Sequence, residues 1–255
     1  MVNLKAIKGI TINSELHTAR DLDMILKKSE CTADNPEPKR LTESIQGRSG
    51  VVDYSDYYDG IIFFENRTVS YKFFFGGTPA EVNRAIEKLN RYHGRQITVV
   101  EDDDPFYSLR GLASVSVNER APYGNYVYMT LSLDAEPYRR RTEPTILRES
   151  SVSGTKYIEV ENGTAPVPLT VKINSLVPTN PSSSATYAVR VSTDSTRYSE
   201  VVQNVGSEVA LTSFLMKGGT QKIKLETVQL VSQTSWNVVS DVTADVIIKY
   251  TEGKF

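Results

Sequence analysis

Residues 46–75 read QGRSGVVDYSDYYDGIIFFENRTVSYKFFF, and nine of the chain's 23 aromatic residues fall within them. From Asn66 onward the stretch alternates. Val69, Tyr71 and Phe73 share one side, with Ser70 and Lys72 opposite, which is the period-two signature of a half-buried strand. Phe74 breaks that alternation, so the far end of the strand is expected to be covered on both faces. Upstream, Gly47-Arg48-Ser49-Gly50 has the glycine bracketing of a turn that needs positive φ. A chain that gathers aromatics on strands in this way builds a sheet core, an interface, or both.

The helix that follows is well marked. Gly76-Gly77 stops the strand, Thr78 is a good N-cap, Pro79 suits the first helical position, and Glu81 completes a Thr-x-x-Glu capping box. Val82, Ala85, Ile86 and Leu89 supply one apolar face, and Gly94 is placed as a stop. This spacing predicts an amphipathic helix over 78–92 laid on a sheet. Strands are expected at 4–12, 97–100, 107–117 and 126–133. The stretch 17–28 fits either a helix or an irregular strand. Glu30 to Glu43, ECTADNPEPKRLTE, has two prolines and no apolar period, and is expected to project as a long loop.

From about Ser150 the composition shifts to Ser, Thr, Val and Asn, and no helical period survives. Short alternating segments at 157–160, 169–173, 187–191, 209–214, 222–230, 235–239 and 242–250 are separated by Asn162-Gly163, Pro178–Pro181 and Gly218-Gly219. That pattern predicts an all-β sandwich. The expected organisation is therefore mainly β. Residues 1–149 form a β-sandwich-like domain carrying one α-helix, and 150–255 form a second β-sandwich.

Composition excludes several functions. Net charge is −2 over 255 residues, and the split at Ser150 gives 20 Lys/Arg against 22 Asp/Glu, then nine of each. Neither half has the basic field of a nucleic-acid binder. Arg139-Arg140-Arg141 is the one basic cluster and is read as a solvated or interfacial linker. No apolar run approaches the length that crosses a bilayer, and the N-terminus lacks the long apolar stretch of a signal peptide. A single cysteine, Cys31, rules out an intramolecular disulfide framework.

Chemistry is sparse. There are two histidines, His17 and His93, no G-x-S-x-G elbow and no metal-ligand spacing. Asp102-Asp103-Asp104 is read as a solvated acidic turn whose carboxylates diverge. Trp236, the sole tryptophan, is expected in the core rather than as a sugar platform. No catalytic residue, cofactor or metal is expected, and assembly or ligand binding is the default function.

The order and spacing of these features resemble the distal tail (Dit) family of long-tailed, non-contractile phages. The matching residues are Gly47, Arg48, Gly50 and Asp53 in the turn, then Asn66-Arg67 leading into the strand with Tyr71 and Phe73. The capped helix, Glu136-Pro137-Tyr138 and Asn162-Gly163 with Pro166 and Pro168 follow in family order, and Gln46 stands where the family has proline. The resemblance covers nearly the whole chain through short motifs. It implies a galectin-like C-terminal sandwich, a belt loop at about 30–43, and a homohexameric ring, single or stacked in two. It further implies contacts with the major tail (tube) protein, the tail-tip protein, the tape-measure protein and a receptor-binding protein. The implied location is the virion tail tip, after assembly in the bacterial cytoplasm. The length leaves no room for an inserted carbohydrate-binding module. A glycan-binding sandwich used in host-surface adhesion is the alternative function.

Overall fold

The computed structural model describes residues 8–44, 46, 49–53, 61–179, 185–193, 199–212, 215–232 and 235–255. The chain divides into two compact units between Thr142 and Glu143, with Phe255 counted in the first.

The first unit is an antiparallel sheet around strand β7 (Arg67–Gly76). Its earlier strands are β1 (Ile10–Ile12), β2 (Leu16–His17), β3 (Ile25–Leu26), β4 (Thr32–Ala33), β5 (Thr42–Ser44) and β6 (Val51–Asp53). After β7 come β8 (Gln96–Glu101), β9 (Asp104–Arg120), β10 (Tyr126–Ala135) and β11 (Arg139–Arg141). The main path runs β2-β1-β8-β9-β10-β7-β3, with β4 also on β7 and β11 on β9. The alternation in the opening stretch sets the register. Val69, Tyr71 and Phe73 stand opposite Leu133, Leu131 and Met129, which in turn face Ala113, Val115 and Val117. Except for half-exposed Val117, these side chains are buried and form one core.

Helix α2 (Pro79–Asn90) covers that core with Val82, Ala85 and Leu89. Its capping box is complete: Thr78 Oγ1 accepts from the Glu81 N–H at 3.3 Å, and Glu81 Oε2 accepts from the Thr78 N–H at 2.8 Å. The turn after the helix is tied to β9, where the Val115 N–H donates to His93 Nδ1 at 3.0 Å. The stretch 17–28 contains both alternatives the sequence allowed. A five-residue helix, α1 (Thr18–Leu22), is followed by β3 and a 3-10 turn at Lys28–Glu30. His17 caps α1, its Nδ1 accepting from the Arg20 N–H at 3.0 Å.

Gly111 allows two strands to approach closely. A Cβ there would lie 2.7 Å from the Asp134 carbonyl oxygen and 2.8 Å from Ala135 Cα, where β9 passes β10.

The second unit packs two antiparallel sheets face to face. One runs β12 (Thr145–Val152), β20 (Val242–Tyr250), β14 (Thr170–Pro178), β17 (Glu208–Ala210). The other runs β13 (Thr155–Asn162), β18 (Gly219–Ser232), β15 (Tyr187–Thr193), β16 (Ser199–Val202), with β19 (Ser235–Val238) on β18. Val171, Ile173, Val246 and Ile248 from the first and Ile158, Val189, Val191, Ile223 and Leu225 from the second are buried. Asn162 is buried too, and its amide donates to the Ala165 and Lys217 carbonyls at 2.7 and 3.0 Å, which pins the Asn-Gly turn. The chain is thus mainly β, as its patterning predicts.

Candidate functional site

The polar stretch 30–43 does not project as a whole. Its first part runs antiparallel along β7 and the residues before it. Thr32 and Ala33 pair with Ser70 and Val69, and the Asp34 N–H donates to the Thr68 carbonyl at 3.0 Å. Farther along, the Glu65 N–H donates to Glu37 at 2.8 Å and the Lys39 N–H to Phe63 at 2.7 Å. Pro38 sits in an isolated bridge with Phe64, a position that proline tolerates at a sheet edge. The segment therefore covers an edge that would otherwise be open to unwanted pairing. Two-residue strands with both faces in solvent carry no periodicity, which is why the sequence hides them.

What stands away from the main sheet is the ribbon β5–β6. Thr42, Glu43 and Ser44 pair with Asp53, Val52 and Val51, and these strands form a two-stranded sheet of their own. Gly50, in its connection, has φ of +87°, and a Cβ there would meet nothing within 4 Å. The glycine is required by backbone conformation alone. Gly47 and Arg48 lie outside the described residues. The structure thus divides the motif: Gly50 and Asp53 belong to the ribbon, while Arg67, Tyr71 and Phe73 belong to the core face of β7.

At the β8–β9 turn lies a charged cluster that the sequence did not reveal. Glu101 accepts from the Tyr71 hydroxyl at 2.7 Å and from both terminal nitrogens of Arg139, at 2.8 and 3.1 Å. Burial, reinforced by the Glu101 carboxylate, pushes the Tyr71 phenol well above its ordinary value. Asp102 accepts from the Gly9 N–H at 2.7 Å and from His17 Nε2 at 3.0 Å. Asp103 pairs with Lys28 and Lys8, and Asp104 lies 3.6 Å from Arg139. The acidic turn is therefore an anchor with three separate sets of partners rather than a solvated one. Its carboxylates do diverge.

Arg139–Arg141 is likewise corrected. It is strand β11, with Arg140 and Arg141 opposite Ser108 and Tyr107, and Arg139 is committed to Glu101. The partner is 38 positions away, beyond the reach of local pattern.

A cavity of about 320 Å³ adjoins this cluster, bounded by Leu26, Cys31, Val69, Tyr71, Glu101 and Arg139 among others. Cys31 is half-buried, its thiol donates to the Lys27 carbonyl at 3.4 Å, and burial raises its pKa. That environment makes it a poor nucleophile. Among the described residues no group of His, Cys, Asp or Glu is arranged to hold a metal ion, and no helix is long and apolar enough to cross a membrane.

Asp103 gives a pH prediction. Hydrogen bonds from Lys28 and then Lys8 hold its carboxyl down to about 2. The unfolded value is about 3.9, so the folded state binds this proton less readily. The stabilisation is present above pH 4 and is lost as pH falls toward about 2. Asp103→Asn is expected to lose less of its melting temperature across that interval than the parent chain, as measured by circular dichroism. Parallel curves would contradict the ion pairs.

On the opposite face of β7, Phe74 packs with Tyr128 at 5.1 Å and Tyr126 at 6.2 Å between ring centroids, and Lys27 lies 4.5 Å over the Tyr128 ring. This agrees with the expected covering of the strand's far end. In the second unit, Trp236 is half-buried on edge strand β19 rather than in the core, and its carbonyl accepts from Arg190 at 2.7 Å.

No protein-family profile matches the chain, and no curated protein does. Among solved structures, the chain is similar to "SPP1 Dit (gp 19.1) Protein", described as a paradigm of hub adsorption apparatus in Gram-positive infecting phages. The TM-score is 0.53 at 14% identity, and the likeness covers 97% of this chain and 99% of that one. At that identity the likeness is one of fold. The chain has a Dit-like, mainly β fold over 97% of its length.

Proposed function

We propose that this chain is a structural hub protein of a non-contractile phage tail, without catalytic activity. The observation that carries the reading is the fold likeness to SPP1 Dit over nearly the whole of both chains. Its physical support is a sheet unit that closes one edge with its own polar segment while holding out the ribbon β5–β6. In this reading six copies form a ring, single or paired back to back. The first units make the ring wall, and the ribbon lies on the neighbouring protomer. The ring joins the tail tube to the tail-tip and receptor-binding proteins at the end of the tail, with the tape-measure protein in its lumen. Closed rings remove the exposed strand edges that make isolated sheet proteins aggregate. Negative-stain electron micrographs of the purified chain test this. Rings with a central hole support the reading, and a field of isolated protomers contradicts it.

A further inference from the structure

Arg67 opens β7 opposite Ala135, on the same face as buried Val69 and Tyr71, and is itself only 9% exposed. Its Nε is fully buried without an acceptor, and among the described residues its guanidinium makes no hydrogen bond or ion pair. Glu101 exerts a favourable electrostatic pull on it, but that carboxylate is already committed to Tyr71 and to both terminal nitrogens of Arg139. Arg139 holds that carboxylate with both terminal nitrogens and also lies 3.6 Å from Asp104, whereas Arg67 has no acid at hydrogen-bond distance among the described residues. Burial weighs most against its charged form, and Arg139 adds the repulsion of a like charge.

A buried cation without a partner is costly, and a bound ion is one of the reasons a native fold keeps such a group. The aliphatic stem alone would not require arginine, since methionine packs as well. The planar fork of five N–H donors matches a bidentate oxyanion. We propose that Arg67 is an anion-binding residue that takes a single oxyanion of the carboxylate class. That oxyanion is either free in solution or presented by an acidic side chain of a second copy of this chain. The proposal does not depend on the hub reading, because its first test uses dilute protein.

Thermal melting of the full chain in acetate and in inorganic phosphate is compared with chloride at equal ionic strength. The parent chain, Arg67→Met and Arg67→Lys are used. A free-anion site gives a saturable rise of about 2–4 °C in the parent, none in Arg67→Met and a smaller one in Arg67→Lys. If the carboxylate comes from a second copy, small anions leave the parent unchanged. In that case sedimentation shows self-association weakened at least tenfold by Arg67→Met, with the protomer's melting temperature no lower. Should Arg67→Met fail to fold, Arg67→Lys carries the test, because it keeps the charge and loses the fork. The proposal is overturned if the parent shows no anion response and neither variant weakens association. Equal anion responses in the parent and the variants overturn it as well.

Discussion

Phe73→Ala is expected to destabilise the first unit by about 3–5 kcal/mol, the cost of removing a large buried aromatic and leaving a cavity. Phe73 is 1% exposed, stands opposite Met129, and belongs to the core that α2 closes. Its neighbour supplies the control. Phe74 faces the other side of the sheet, half-buried against Tyr126 and Tyr128, and Phe74→Ala is expected to cost about 1 kcal/mol, the scale of an aromatic pair beyond its burial. Urea denaturation followed by tyrosine fluorescence measures both. Equal losses for the two variants would show that the sheet does not have the inward and outward faces described.

The second large effect concerns association. Deleting residues 42–53, with Leu41 joined to the following chain through a short Gly-Ser bridge, is expected to leave the melting temperature within a few degrees and to abolish assembly. Among the described residues, strands β5 and β6 pair with each other and with no strand of the main sheet, so their removal takes no described ladder hydrogen bond from it. Deleting 30–43 would be a poorer test. It would strip β4 from β7 and remove the partners of Phe63, Glu65 and Thr68, and so would confound folding with association. Light scattering of the ribbon-deleted chain reads the outcome. A deleted chain that still forms the parent's assemblies would show that the ribbon does not carry association.

The parts legible in the sequence are those where one local rule decides. Strand β7 has a buried face at every second residue, and α2 shows its cap, first-turn proline and apolar stripe within a dozen positions. Strands β10 and β20 were equally open, because their apolar residues alternate through the middle of a sheet. The parts that were hidden depend on distant partners. The segment 32–39 is ordered by β7 and its upstream residues, through backbone bonds that need no particular side chain. Strand β12 mixes exposed Ile146 with polar neighbours, so Thr145–Val152 reads as a connection until β20 is placed beside it. Arg139 looked like one of three solvated basic residues, and only the fold brings Glu101 to it. For the candidate site, the alternation places Tyr71 and Phe73 on one strand face, whereas Arg67 enters through the family resemblance alone. No local pattern shows that Arg67 lies buried with its Nε lacking an acceptor.

If the chain works as a closed multimer, native mass spectrometry of the 255-residue protein shows it. The expected spectrum has a dominant species at six times the 28.4 kDa protomer, or at twelve times if two rings stack. A single species at the protomer mass, at every concentration from micromolar to the limit of solubility, would contradict it.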